Sequence, residues 1–189
     1  MMTGGRIVYR HQPLSDTVTR EPMNDQAALL AQRLIRNFEQ VEKTHDSRPP
    51  LYDSLGARLG TDTAAGKLGA SIDIVAPGMR SCPYHFHYAQ EEMFIVLEGI
   101  GTLRVAGELL PIKSGDVIFI PPGPEYPHQL INTSDAPLKY LSISTREMPE
   151  LVEYPDSGKF LAAALGENGK PVRYIQRPSA SLDYWQDEP

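Results

Sequence analysis

The sequence predicts an all-β fold: a single barrel over about residues 67–146, flanked by extensions at residues 1–66 and 147–189. Two observations carry this expectation. Short apolar runs recur through the middle of the chain and are cut at near-regular intervals by Gly and Pro, the pattern of a sandwich or barrel. No helical pattern alternates with those runs, so a parallel α/β sheet is not supported.

In chain order, the N-terminal extension carries little strand signal. Leu30, Leu34, Phe38 and Val41 recur at near-helical spacing behind Asn24 or Asp25, either of which can cap a helix. Ile35–Val41 reads equally as an edge strand laid on the barrel. Arg48-Pro49-Pro50 ends the segment on both readings. Strands are expected at Leu68–Val75, Glu92–Glu98, Gly101–Val105, Glu108–Pro111, Asp116–Ile120, His128–Asn132 and Lys139–Ser144.

Two of these strands are apolar on both faces. In Glu92–Glu98, Phe94 and Val96 share a face with Glu92, while Met93, Ile95 and Leu97 take the other. In Asp116–Ile120, Val117 and Phe119 oppose Ile118 and Ile120. Such strands need cover outside the barrel as well as within it. Either extension or a second subunit would supply that cover. A homodimer is the expectation, because a two-fold pair is the commonest oligomer. The tail from Glu147 to Pro189 is polar and turn-rich, with one short helical turn expected at Phe160–Leu165. Tyr184 and Trp185 are expected to anchor it on the barrel through their large aromatic area; a segment capping the substrate is the other reading.

Composition narrows the function. The 189 residues suit one domain. A net charge of −6 without a basic cluster repels phosphate backbones, which argues against nucleic acid as a partner. The lone cysteine, Cys82, excludes an intrachain disulfide. The opening MMTGGRIVYRHQPL lacks the apolar run of a signal peptide. No stretch approaches the roughly 20 apolar residues of a bilayer span. A soluble cytoplasmic protein, not associated with a membrane, is expected.

The chemistry is concentrated in two stretches. In GMRSCPYHFHYAQEEMFIVLEG (Gly78–Gly99), His85 and His87 are two apart, so both imidazoles leave an extended segment on the same side. Glu92 follows a short connection and can return a carboxylate to them. In GDVIFIPPGPEYPHQLIN (Gly115–Asn132), a short strand runs into a Pro121-Pro122-Gly123 corner and His128 opens the next strand. Three imidazoles and one carboxylate form an N/O donor set that suits one divalent Fe, Mn, Ni, Co or Zn ion.

These stretches resemble the two motifs of the cupin superfamily, in its single-domain conserved-barrel form. The first motif reads Gly, five residues, His-x-His, three or four residues, Glu, six residues, Gly. His85, His87, Glu92 and Gly99 fit it, and Gly78 stands one residue early. The second reads Gly, five residues, Pro-x-Gly, two residues, His, three residues, Asn. Gly115, Pro121, Gly123, His128 and Asn132 fit it, with four residues instead of two before His128. The resemblance covers about Leu68 to Ser144 and implies a double-stranded β-helix (jelly-roll) barrel with the metal near one mouth. It implies no single reaction, because this fold hosts many chemistries.

Glu91 competes with Glu92 as the carboxylate ligand. The six-residue gap to Gly99 and the shared parity with Phe94 and Val96 favour Glu92. Cys82 has the opposite parity to His85 and reads as a small packed hydrophobe. Candidate pocket residues are Tyr84, Tyr88, Phe94, Tyr126, Tyr140 and Ser142; for Tyr140, Ser142 and Ser144 a solvated face is the equal alternative. His11 and His45 read as surface residues. A divalent ion with one carboxylate retains about one positive charge and open coordination positions, which suits small polar or anionic organic ligands. Metal-dependent oxygenase, isomerase or decarboxylase chemistry follows, with a non-catalytic binding or sensing module as the alternative. Sugar-phosphate isomerisation would need basic residues at the mouth, for which Arg80, Arg104 and Lys139 are available.

Overall fold

The computed structural model of the chain describes residues 24–178 and 183–188; His11 lies outside them. Helix α1 (Asp25–Leu34) begins where Asn24 Oδ1 accepts the Ala27 amide at 2.9 Å, and Asp25 places a negative charge in the first turn. It ends before the expected Phe38 and Val41, because Ile35 is extended. Asn37 then offers its carbonyl to Gln40 and Val41 and its side chain to the Glu39 amide. Those local bonds compete with both a continued helix and an edge strand, and neither forms at residues 36–41. No helix among the described residues is long and apolar enough to cross a membrane.

The N-terminal extension holds more strand than expected. A hairpin of β1 (Thr44–Arg48) and β2 (Tyr52–Arg58) turns through Pro49-Pro50-Leu51. β2 then pairs with β3 (Leu68–Val75). The edge strand β1 reads Thr-His-Asp-Ser-Arg and is exposed throughout, so it has no apolar alternation to betray it.

The barrel continues through β4 (Phe86–His87), β5 (Glu92–Glu98), β6 (Ile100–Val105), β7 (Glu108–Lys113), β8 (Val117–Ile120), β9 (His128–Ile131) and β10 (Leu138–Thr145). One six-stranded sheet has the order β1-β2-β3-β10-β5-β8, and a three-stranded sheet the order β7-β6-β9. Their ladders are antiparallel, which gives the expected all-β double-stranded β-helix. Between β5 and β6, Gly99 adopts φ +87°, and a Cβ there would sit 2.5 Å from the Pro137 carbonyl oxygen. The β6–β7 turn has positive φ at both Ala106 and Gly107, the geometry a two-residue hairpin loop needs.

The tail departs most from expectation. β11 (Glu150–Tyr154), β12 (Lys159–Leu165) and β13 (Pro171–Gln176) form a sheet of order β13-β12-β11-β4. Phe160–Leu165 is therefore strand and not a helical turn. Its Ala and Leu residues favour helix, but hydrogen-bonded ladders on both sides override that preference. Tyr184 and Trp185 do not anchor the chain: they are 83% and 73% exposed and pack edge-on against each other.

The core between the sheets contains Val75, Phe94, Val96, Leu103, Ile112, Ile120, Leu130, Leu138 and Tyr140. Each large side chain buried here contributes about 1.5–3 kcal/mol. Glu92, Phe94 and Val96 face this interior, as their parity requires. Across the β5–β8 ladder Ile118 opposes Phe94 and Ile120 opposes Glu92, so Val117 and Phe119 point outward and are 48% and 66% exposed. The chain covers part of that outer face itself. Lys139 bonds both Glu39 and Glu98 there and lies 5.5 Å over the Phe38 ring. Asn132 is wholly buried; its amide donates to the carbonyls of Val75 and Ala136 and its oxygen accepts from Ser134. The final residue of the second motif is thus a structural tie.

Candidate metal centre

His85 and His128 are brought together by the backbone. Each donates its amide to the other's carbonyl, at 3.1 and 2.8 Å, which makes them a directly opposed pair with side chains on one face. Their rings lie 4.6 Å apart. The longer loop between Gly123 and His128 leaves this pairing intact. His87 lies on β4, which is only two residues long and is held by β11 through the Val152–His87 and Glu153–Phe86 pairs. Glu92 opens β5 and reaches in from the facing sheet.

One oxygen collects all three imidazoles. Glu92 Oε2 lies 2.8 Å from His128 Nε2, 3.4 Å from His87 Nε2 and 3.8 Å from His85 Nε2. His85, His87 and Glu92 each offer a ligand atom within 4.8 Å of the others, so this cluster could hold a metal ion. Glu91 is exposed, and its amide donates to Thr145 Oγ1.

Hydrogen bonding fixes which ring nitrogens face the centre. His85 Nδ1 lies 2.8 Å from the Pro83 carbonyl and His128 Nδ1 lies 3.1 Å from that of Tyr126. A carbonyl only accepts, so both Nδ1 atoms carry the proton and both Nε2 lone pairs face Glu92. With a neutral ring, the short His128–Glu92 contact sets a lone pair against a carboxylate oxygen, which a shared proton or a cation would relieve. Consistently, Glu92 Oε2 and His128 Nε2 are fully enclosed and make no aligned hydrogen bond. Burial holds the His85 imidazole down to about 4, with His128 adding to the effect and Glu92 opposing it. Burial resists ionisation of Glu92; protonated, His128 would donate to it and, with the other two imidazoles, hold its carboxyl below the usual range. A cavity crowded with lone pairs and one carboxylate fits a divalent cation.

A residue that sequence reasoning did not single out completes the arrangement. Glu150, at the start of β11, is 5% exposed and accepts the amides of Tyr88, Ala89 and Gln90. Its other face stands 3.7 Å from His87 Nδ1. At that distance it makes no hydrogen bond to the ring, whose Nδ1 is enclosed without a partner among the described residues; its role is to fix the loop that follows His87. In the sequence Glu150 is one more acid at the start of a polar tail, which says nothing of a partner some sixty residues away.

The other candidate residues scatter. Phe94 lies 5.7 Å from the His128 ring and 5.9 Å from that of Tyr140, so it walls the centre on the core side. Tyr140 is buried, with its hydroxyl bonded to Ser81. Tyr84 and Tyr88 have the opposite parity to His85 and His87. Tyr84 accepts the Gly107 amide and lies 3.7 Å under the Arg104 guanidinium, while Tyr88 packs on Phe86 and donates to Glu153. Tyr126 is 42% exposed. Ser142 lines a cavity of about 590 Å³. Burial pushes the Cys82 thiol up to about 12, which suits an inert packed group. Arg104 is held by Asp156 through two bonds, and Lys139 by Glu39 and Glu98, so neither offers a free charge. His45 pairs with Asp53 at the surface.

Residues 71–144 match the family model described as Cupin domain. An uncharacterized protein of Methanocaldococcus jannaschii is 42% identical over 60 residues, a match that takes in 32% of this chain and only 46% of that relative. Two solved structures superpose more widely. One, a sugar phosphate isomerase of the cupin superfamily from Silicibacter pomeroyi, is 26% identical with a TM-score of 0.63, over 78% of this chain and 96% of its own. The other, provisionally described as a sugar phosphate isomerase from Acidithiobacillus ferrooxidans, is also 26% identical, with a TM-score of 0.64 over 76% and 92%.

Proposed function

This chain carries a cupin domain, and on that premise we propose that it is a metal-dependent enzyme acting on a small polar or anionic molecule. The observation that carries the reading is the convergence of three imidazole Nε2 atoms on Glu92 Oε2, two of them with lone pairs fixed inward. His85, His87, Glu92 and His128 would hold one divalent Fe, Mn, Ni, Co or Zn ion. Bound there, the ion supplies Lewis-acid polarisation of a substrate oxygen. The chain's residues do the rest. The Pro83 and Tyr126 carbonyls hold the tautomers, Glu150 stands behind His87, and Phe94 keeps the core side dry. Among oxygenase, isomerase and decarboxylase chemistries, isomerisation of a hydroxylated anion is favoured by the two structures at 26% identity.

Protein purified without a histidine tag should retain close to one transition-metal ion per chain after dialysis. Interconversion of aldose and ketose phosphates should vanish with chelator and return with metal. Absence of metal, with no uptake of added Mn, Fe, Ni or Zn, overturns the proposal. We also propose that the outward Val117 and Phe119 contribute to a cytoplasmic homodimer. Light scattering at the 21.0 kDa monomer mass would refute that.

A further inference from the structure

On the interior face of the large sheet, the end nearest the metal centre is left unfilled. Residues directly opposed in an antiparallel ladder share a face. Ser144 opposes Glu92 and Ser142 opposes Phe94, so both serines face the barrel interior beside the proposed ligand. One strand further on, Gly69 opposes Ser144 and Ser71 opposes Ser142; beyond that, Arg58 opposes Ser71. Further along the same face, Tyr140, Leu138 and Val75 fill the core. Here hydroxyls and a glycine replace apolar bulk. A Cβ on Gly69 would stand 3.1 Å from Ser144 Oγ, so the missing side chain helps to keep the space open.

The opening is a cavity of about 590 Å³, and three arginines line it from separate elements: Arg58 from β2, Arg146 just beyond β10 and Arg173 from β13. Among the described residues none of the three is in an ion pair, unlike Arg104 and Lys139. One carboxylate, Asp62, shares the lining. In a chain of net charge −6, three guanidinium groups outside any described ion pair, set against Asp62 in the lining and the Asp73 carboxylate that accepts the Ser71 hydroxyl behind it, make a locally positive mouth. Like charges repel, and an oxyanion bound among them relieves that cost. Guanidinium forks match phosphate and carboxylate oxygens, and serine hydroxyls add neutral donors.

We propose that this cavity is an anion subsite that holds the non-reacting phosphate or carboxylate end of the substrate. Three strand spacings of about 4.8 Å separate β5 from β2, so Arg58 starts roughly 14 Å from Glu92 and its side chain reaches part of the way back. The substrate class is a short hydroxylated chain with one terminal anionic group. The placement of its reacting end rests on the metal-centre reading; the anion subsite itself does not need the metal.

The test uses chelator-stripped full-length protein, so that no ion at the centre binds the probe. Calorimetric titration with inorganic phosphate and, separately, acetate should give binding in the millimolar range. R58Q and R173Q should each weaken it roughly tenfold, the loss of one charge-assisted contact. S142V should weaken it without changing charge. R80Q is the control for the general field and should have little effect. Tighter phosphate binding assigns a phosphate, and tighter acetate binding a carboxylate. No binding of either anion, or equal losses in R80Q, R58Q and R173Q, overturns the subsite. Circular dichroism verifies folding of each variant. Metal content is measured on the same preparations: a wild type that takes up no metal refutes the metal proposal and leaves the anion result standing.

Discussion

Replacing Glu150 with alanine should unfold the loop behind His87 before it does anything else. Glu150 accepts the amides of Tyr88 at 3.0 Å, Ala89 at 3.3 Å and Gln90 at 2.9 Å. Tyr88 keeps a second acceptor in the Leu151 carbonyl, so the substitution strips two amides of their acceptor. An orphaned buried donor costs about 1–3 kcal/mol, and the half-buried Ala89 and Gln90 recover part of that from water. The expected loss is about 2–4 kcal/mol, read by urea unfolding of metal-free protein. Glu150→Gln keeps one oxygen but points an amide donor at another donor, so about half of that loss is expected. Metal affinity should fall several-fold in both variants, because the loop that follows His87 loses its anchor. A Glu150→Ala protein within 0.5 kcal/mol of wild type and with unchanged metal affinity would refute this account.

Three further outcomes are expected. Glu92→Gln should abolish tight metal binding, whereas Glu91→Gln should leave it within a few-fold, as metal titration will show; equal losses would contradict the burial difference between them. In metal-free protein, His85 titrates near 4 when folded and near 6.5 when unfolded, because burial excludes the charged ring. The unfolded state therefore binds more protons between those values, and stability should fall by up to about 3 kcal/mol as pH drops from roughly 6.5 to 4. A flat profile of urea midpoints against pH would count against a buried neutral His85. Asn132→Ala should cost about 1–3 kcal/mol by removing the side-chain donor to the Val75 carbonyl and the acceptor of the Ser134 amide, while Ala136 keeps its bond from Ser134 Oγ, with little effect on metal stoichiometry.

Much of the barrel was legible because its signals are local. Leu68–Val75 and Glu92–Glu98 carry dense apolar residues between turn formers, and both strands form with the expected bounds. The spacing of His85, His87, Glu92 and Gly99 pointed to one site because a strand's two-residue period fixes which side chains share a face. Features that depend on distant partners left no such trace. Thr44–Arg48 is polar and exposed throughout, so pairing alone makes it a strand. Lys159–Leu165 has helix-favouring composition that two flanking ladders overrule. Glu150 meets the 88–90 loop across some sixty residues, and Arg58, Arg146 and Arg173 converge only once three elements are in place. Two of the three basic residues picked from the sequence, Arg104 and Lys139, are not free for the converse reason, since both have acidic partners the sequence does not reveal.

The two-residue strand that carries His87 has a consequence for how the chain is held together. Its ladder partner is β11, in the C-terminal extension, so the tail and the imidazole cluster cannot order independently. Any ion bound by the imidazoles then stabilises the docked tail by the same free energy by which the docked tail tightens the ion. Limited proteolysis would make that reciprocity visible: cuts between residues 155 and 170 should slow as metal is added and quicken with chelator. A fusion or truncation that displaces β11 would, by the same coupling, discharge the metal without touching a single ligand.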